Sequence, residues 1–252
     1  MQKRLLIITI IFTGILLINI GCDDNSKSLG NFGIDIATVI PEGNNSYSIR
    51  LDNGKRLWPA ASTINYFPTN DKRILLNYTI LSEARDGFDH YIKVNDLWEL
   101  LTKDIIELDT QNKEIIGDDP VKTNAVWVGG DYLNVSFHFN YGGVKPHFVN
   151  LVDNKLEPKS ESDIVELEFK HNSYDSKSER LFEGYVCFDL RPLRTNDADS
   201  VKLSIKVNEW KEGADNNAEE KIYDVIYRYN RLENIQEIAE MPIPVITSNE
   251  YY

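Results

Sequence analysis

The strongest constraint on this chain is the alternation from Leu133 to Phe139, where Leu133, Val135, Phe137 and Phe139 are apolar and the intervening Asn134, Ser136 and His138 are polar. A period of two sends the two sets to opposite faces of a β-strand, one buried and one wet. Phe148 to Val152, Ile164 to Lys170, Tyr185 to Leu190, Val201 to Val207 and Ile222 to Tyr229 repeat the style. Polar positions such as Glu166, Glu168, Lys170, Lys202, Ser204 and Lys206 ask for solvent on one side of each sheet. No helices alternate with these strands to cover a parallel sheet, so the pattern predicts antiparallel sheets packed face to face. We therefore expect an antiparallel β-sandwich over residues 111–252, with a C-terminal extension. A faint helical rhythm after Asn230, through Ile235 and Ile238, ends at Pro242 and Pro244.

Upstream the strands are shorter and more turn-broken. Gly33 to Ile40 is followed by a turn at Pro41 to Asn45. Tyr47, Ile49 and Leu51 then alternate up to Asp52-Asn53-Gly54, where the Asn-Gly pair predicts a hairpin with both turn residues at positive φ. Arg56 to Trp58, Arg73 to Leu81 and His90 to Val94 are further strands, and Asp96 is expected to start a short helix, DLWELL. Five short strands with one short helix suit a small closed, OB-like barrel over residues 33–110. The polar stretch Asp109 to Pro120 marks the boundary. The whole chain is thus expected to be all-β.

At the other end, Lys3 and Arg4 precede the uncharged apolar run Leu5 to Ile20, which closes at Gly21-Cys22. The run is shorter than the roughly 20 residues of a spanning helix, so residues 1–21 read as a lipoprotein signal peptide and Cys22 as the lipidated mature N-terminus. Residues 22–32 form a polar tether carrying Asp23 and Asp24. This places the protein in a bacterial cell envelope as an outer membrane lipoprotein, with an acidic start that resembles surface-export signals. The membrane is a partner through the lipid.

The net charge of −13 becomes −15 once Lys3 and Arg4 are lost. Both halves carry more acid than base, which excludes a nucleic-acid partner, because phosphate binding needs clustered Lys and Arg. With Cys22 acylated, Cys187 is left without a disulfide partner, and its strand-like setting predicts a buried small hydrophobe.

Candidate chemistry is sparse. His138, His147 and His171 lie in the second domain, but their wide spacing is not that of a zinc site. Asp215, Asn216, Asn217, Glu219 and Glu220 supply oxygen ligands without the spacing of a calcium loop. No nucleophile elbow, zinc-protease motif, phosphate loop or dinucleotide fingerprint occurs. No cofactor, no metal and no catalytic residue is therefore expected. A surface hydrolase acting on glycan or peptide remains the alternative of another class.

Aromatic residues carry the better signal. Trp98 follows the rhythm of Leu97, Leu100 and Leu101 and is expected in the core. Trp58 beside Pro59, Tyr66, Phe67 and Phe88 sit among turn residues, and we expect them to form a binding patch for a protein or glycan at the barrel's loop end.

One resemblance joins these features. Tyr47-x-Ile49-x-Leu51-Asp52-x-Gly54, then Arg73-Ile74-x-x-Asn77-Tyr78-x-Ile80-Leu81, Tyr91 to Asp96 and Leu101-Thr102-Lys103 precede Asp131-Tyr132-Leu133, Gly142-Gly143 to His147 and Asn150-Leu151-Val152. In this order after a lipobox, they resemble the NigD-like lipoproteins, which pair an N-terminal OB domain with a C-terminal β-sandwich. The resemblance spans the mature chain to about residue 230. It implies an envelope lipoprotein with a suggested link to bacteriocin clusters, which makes an immunity-type role a further alternative, and it supplies no catalytic residue.

Overall fold

A computed structural model describes residues 32–143, 145–158, 162–176, 178, 180–211 and 218–229. The signal, Cys22, Asp215, Asn216, Asn217 and the chain from Asn230 onward lie outside the described residues.

The first part is a closed five-stranded barrel built from β1 (Phe32–Gly43), β2 (Ser46–Leu51), β3 (Arg56–Ser62), β4 (Lys72–Ser82) and β5 (His90–Glu99), in the order β1-β2-β3-β5-β4. Alternation fills it as the pattern requires: Tyr47, Ile49, Leu51, Leu57, Ile74, Leu76, Tyr78, Ile92 and Val94 are buried together with Ala37 and Val39. Closure leaves no unpaired sheet edge here.

Three details differ from the sequence reading. The hairpin with two positive-φ residues is at Asn44 (50°) and Asn45 (60°), whereas Gly54 (89°) alone is positive in the next turn. There Gly54 N donates to Leu51 O and Leu51 N to Lys55 O, a longer turn than the Asn-Gly pair predicts. The expected helix at Asp96 is absent, because β5 runs on to Glu99. A register shift pairs Asn77 with Asp96 but Tyr78 with Val94, leaving Asn95 as the extra residue. One extra residue flips the face that follows. Val94 and Leu97 both turn inward and mimic helical spacing. Trp98, expected in the core, is consequently on the outside at 50% exposure.

The second part has two sheets. One orders β14-β13-β11-β10-β7 and the other β6-β12-β9-β8, from β6 (Leu101–Asp104), β7 (Ile106–Leu108), β8 (Lys122–Gly129), β9 (Tyr132–Asn140), β10 (Phe148–Asn154), β11 (Ile164–Asn172), β12 (Leu181–Asp189), β13 (Ser200–Trp210) and β14 (Ala218–Arg228). Leu133, Val135, Phe137, Leu151, Phe169, Phe188, Ile205 and Tyr227 are among the residues of their shared core. The sheets are mixed rather than wholly antiparallel, since β10–β7, β11–β13 and β12–β6 run parallel. The strands at Leu101 to Asp104 and Ile106 to Leu108, assigned from sequence to the 33–110 domain, pair here, and the chain changes sheets at Ile105. A four-residue helix, α1 (Lys113–Ile116), caps β7 and β10 by burying Ile116 against Leu108 and Val152.

The polar face of β9 is not wet. Asn134 and Ser136 are 1% and 0% exposed: Asn134 meets Arg73 and Asp52 of the barrel, and Ser136 is bonded by Asn124 and Glu183 of the neighbouring strands. Arg73 of β4, 2% exposed, pairs bidentately with Asp52 at 2.6 and 2.8 Å and donates to Thr38 Oγ1 and to Asn134 Oδ1. Asn134 Nδ2 returns a hydrogen bond to Asp52, and the Tyr132 ring lies 4.7 Å beneath the guanidinium. Burial opposes the Arg73 charge, but the Asp52 carboxylate more than offsets it and raises the pKa.

Cys187, paired in register with Asn134, is 1% exposed at the same junction, the buried small residue that was expected. Burial pushes its thiol pKa up, against the pull of Arg73. A thiol held protonated and covered is a poor nucleophile. Ellman's reagent should therefore leave the native thiol unmodified and label it on denaturation; rapid labelling of native protein would contradict this packing.

Candidate functional site: an aromatic face on the barrel

Strands β3 and β5 run parallel with Leu57 beside His90 and Trp58 beside Tyr91. Leu57 and Ile92 point into the barrel, so alternation sends Trp58 and Tyr91 outward side by side. The turn before β5 places Phe88 against both, with ring centroids 5.1 Å from Trp58 and 6.2 Å from Tyr91. Asp86 (φ 53°) and Gly87 (φ 82°) make that turn tight enough for Arg85 and Phe88 to exchange backbone hydrogen bonds.

Two arginines frame the rings. Arg56 lies 5.0 Å from the Phe88 centroid and Arg85 5.7 Å from that of Tyr91. Carboxylates hold the frame in place: Asp86 accepts from Tyr91 Oη and Arg85 Nε, both at 2.9 Å, and Asp89 accepts from Arg56 N at 2.7 Å. The phenol donates to Asp86, and that hydrogen bond raises the Tyr91 pKa. None of these three rings belongs to the barrel core.

The four candidates therefore separate into two places. Trp58 and Phe88 meet, although Trp58 lies within β3 rather than at a hairpin end. Tyr66 instead packs edge-on against Tyr47 and donates to Glu99, which Lys72 also engages. Phe67 beside it is 60% exposed. Since Tyr91 is the second residue of β5 and Glu99 its last, the two groups stand about 25 Å apart along the strand. Tyr91 reads in the sequence as one more aromatic of the barrel and is not among the four candidates, and nothing in the sequence marks Arg56 or Arg85.

The histidines also separate. His138 bonds Asn124, while His147 Nδ1 and His171 Nε2 stand 2.9 Å apart. No group of three or more metal-ligating side chains occurs among the described residues.

A closed five-stranded barrel in this strand order, whose buried ion pair is hydrogen-bonded by Asn134 of a two-sheet sandwich, defines an OB-plus-sandwich β protein. The chain belongs to the NigD-like family: residues 36–100 match its N-terminal OB domain and residues 104–219 its C-terminal beta sandwich domain. Among solved structures it is similar to a Bacteroides vulgatus protein of unknown function, at 28% identity and TM-score 0.67 over 82% of this chain and 94% of that one. A Parabacteroides distasonis structure described as toxin related shares 38% identity, TM-score 0.66, over 79% and 94%. A NigD-like immunity protein from Bacteroides caccae shares the fold at 20% identity, TM-score 0.62, over 75% and 91%. No curated protein matches the chain.

Proposed function

We propose that this protein is an outer membrane lipoprotein, acylated at Cys22, that acts by binding a protein partner rather than by catalysis, and that the Trp58–Phe88–Tyr91 face is its recognition surface. The observation that carries this reading is a cluster of three aromatic rings, in tilted and edge-to-face contact, on the outside of a barrel whose interior holds its own apolar core. Rings held outside a core cost solubility, and Trp, Tyr and Arg are the residues that dominate interface energetics. Arg85 is already paired with Asp86, and the Arg56 guanidinium over Phe88 favours a protein with exposed carboxylates over a neutral glycan.

A toxin as that partner is favoured by the 38%-identical relative described as toxin related. The toxin-facing role then belongs to the same aromatic surface.

The anchor is tested separately. Cys22→Ala should leave the protein unprocessed or release it from the detergent phase on partitioning. A wild-type protein that is soluble and unprocessed would overturn the lipoprotein reading. The surface is tested by a photo-crosslinking residue at position 91 in whole cells. Crosslinks to one partner that vanish in Trp58→Ala support it; crosslinks that persist unchanged put recognition elsewhere.

A further inference from the structure

The sandwich holds a second unusual group. His171 near the end of β11 is 3% exposed, and its Nδ1 faces the Asp119 carbonyl at 3.3 Å. A carbonyl only accepts, so Nδ1 carries the proton and the neutral ring offers a lone pair at Nε2. That lone pair accepts from His147 Nδ1–H at 2.9 Å. His147 Nε2 is then a bare lone pair, and it is buried without a hydrogen-bond partner among the described residues.

Rings enclose the pair. Phe139 lies 5.1 Å and Tyr141 5.2 Å from the His147 centroid, and Phe137 lies 6.4 Å from that of His171. Phe182 adds a further ring against Phe139 and Tyr141. Gly184 makes the room, since a Cβ there would stand 2.9 Å from Phe137 and 3.1 Å from Phe139.

The four ring nitrogens hold two protons in the neutral pair. A third proton has one place to go. Whichever histidine is formally charged, one proton must lie between the rings and one must face the Asp119 carbonyl, so the third sits on His147 Nε2. There it meets rings instead of an acceptor, and a charged group with an unmade hydrogen bond in such a place is costly. Turning His147 outward to water is the escape.

We propose that the His147–His171 pair is a proton-operated latch: neutral, it ties the start of β10 to the end of β11 and to the Asp119 turn; on acidification His147 leaves and this end of the sandwich opens its aromatic cluster. Burial, and then for His171 the neighbouring His147, lowers both histidine pKa values, that of His171 to about 4. A base with a depressed folded pKa is protonated first in the unfolded or opened form. Stability is thus present above the ordinary histidine pKa of about 6.5 and is lost as pH falls toward 4.

The other charged groups around the pair are already engaged. The Asp119 carboxylate favours protonation but is held by Ser173 N and Oγ. Asp118 pairs with Lys170, Lys145 stacks on Tyr174, Arg180 on Phe182, and Glu183 accepts from Tyr185 and Ser136.

Amide hydrogen exchange of the mature chain at about pH 7 and about pH 5, corrected for intrinsic rates, tests the latch. Protection of Phe148, Val149 and His171 should fall at least roughly tenfold at the lower pH while barrel strands hold theirs. His147→Phe, which fills the space without titrating, should abolish the difference. His147→Gln, whose amide still donates to His171, should do the same if the Phe variant misfolds. Equal acid loss in wild type and variant, or no loss in wild type, would overturn the proposal.

Discussion

Arg73→Ala should destabilise the folded protein by roughly 3–5 kcal/mol, the usual cost of leaving one charge of a buried pair without its partner. Asp52 has two ways to recover some of this loss, the hydrogen bond from Asn134 and its own slight contact with water. Neither replaces a bidentate guanidinium, and Thr38 and Asn134 lose their donor at the same time. For a protein of this size the melting temperature should drop by roughly 6–20 °C. Because Arg73 and Asp52 both hydrogen-bond Asn134 of the sandwich strand β9, unfolding should also lose cooperativity, with barrel and sandwich melting apart. A shift of only a degree or two in a single sharp transition would mean that the ion pair contributes little to holding them together.

Gly129→Ala should be nearly as damaging, although alanine for glycine in a strand ordinarily stabilises by about 0.4–1 kcal/mol through the unfolded chain. Gly129 ends β8 directly beneath the Asp52 hairpin, and a Cβ placed there would be 1.9 Å from Asp52 Oδ2 and 2.6 Å from Asp52 Cβ. Rotating the carboxylate does not relieve a clash with its own Cβ. The hairpin must move, and the Arg73 pair goes with it. The loss should approach that of breaking the pair, roughly 2–4 kcal/mol by urea unfolding. In an Asp52→Gly background, where the clashing atoms are gone, the same substitution should cost less than about 1 kcal/mol. Additive costs in the two backgrounds would show that Gly129 matters for another reason.

These residues also mark where sequence reading stops. The alternation in Leu133 to Phe139 was enough to find β9 and to divide it into two faces. It could not say what covers the second face. Asn134 looks solvated because nothing near it in sequence needs it; its partners Arg73 and Asp52 are 61 and 82 residues away. A buried ion pair looks the same in sequence as two surface charges. At Asn95 a single inserted residue changes the phase of β5, and the helical rhythm of Leu97, Leu100 and Leu101 runs across the break between β5 and β6, so Trp98 reads as inside although it is exposed. The strands β6 and β7 are four and three residues long, too short for a period to show. The aromatic face was half legible: Trp58 and Phe88 stood out beside turns, but joining them to Tyr91 takes a parallel pairing between strands more than thirty residues apart.

The most direct test of the account is a binding titration with the partner recovered by crosslinking at position 91, comparing the wild type with Trp58→Ala and Phe88→Ala and recording the melting temperature of each. Outer rings of this kind should behave as interface anchors, each worth about 2 kcal/mol or roughly thirtyfold in Kd. Because the barrel core is complete without them, melting should move by only a few degrees. Unchanged affinity in both variants, or affinity that falls only in step with a collapsed melting temperature, would contradict a recognition face on the barrel.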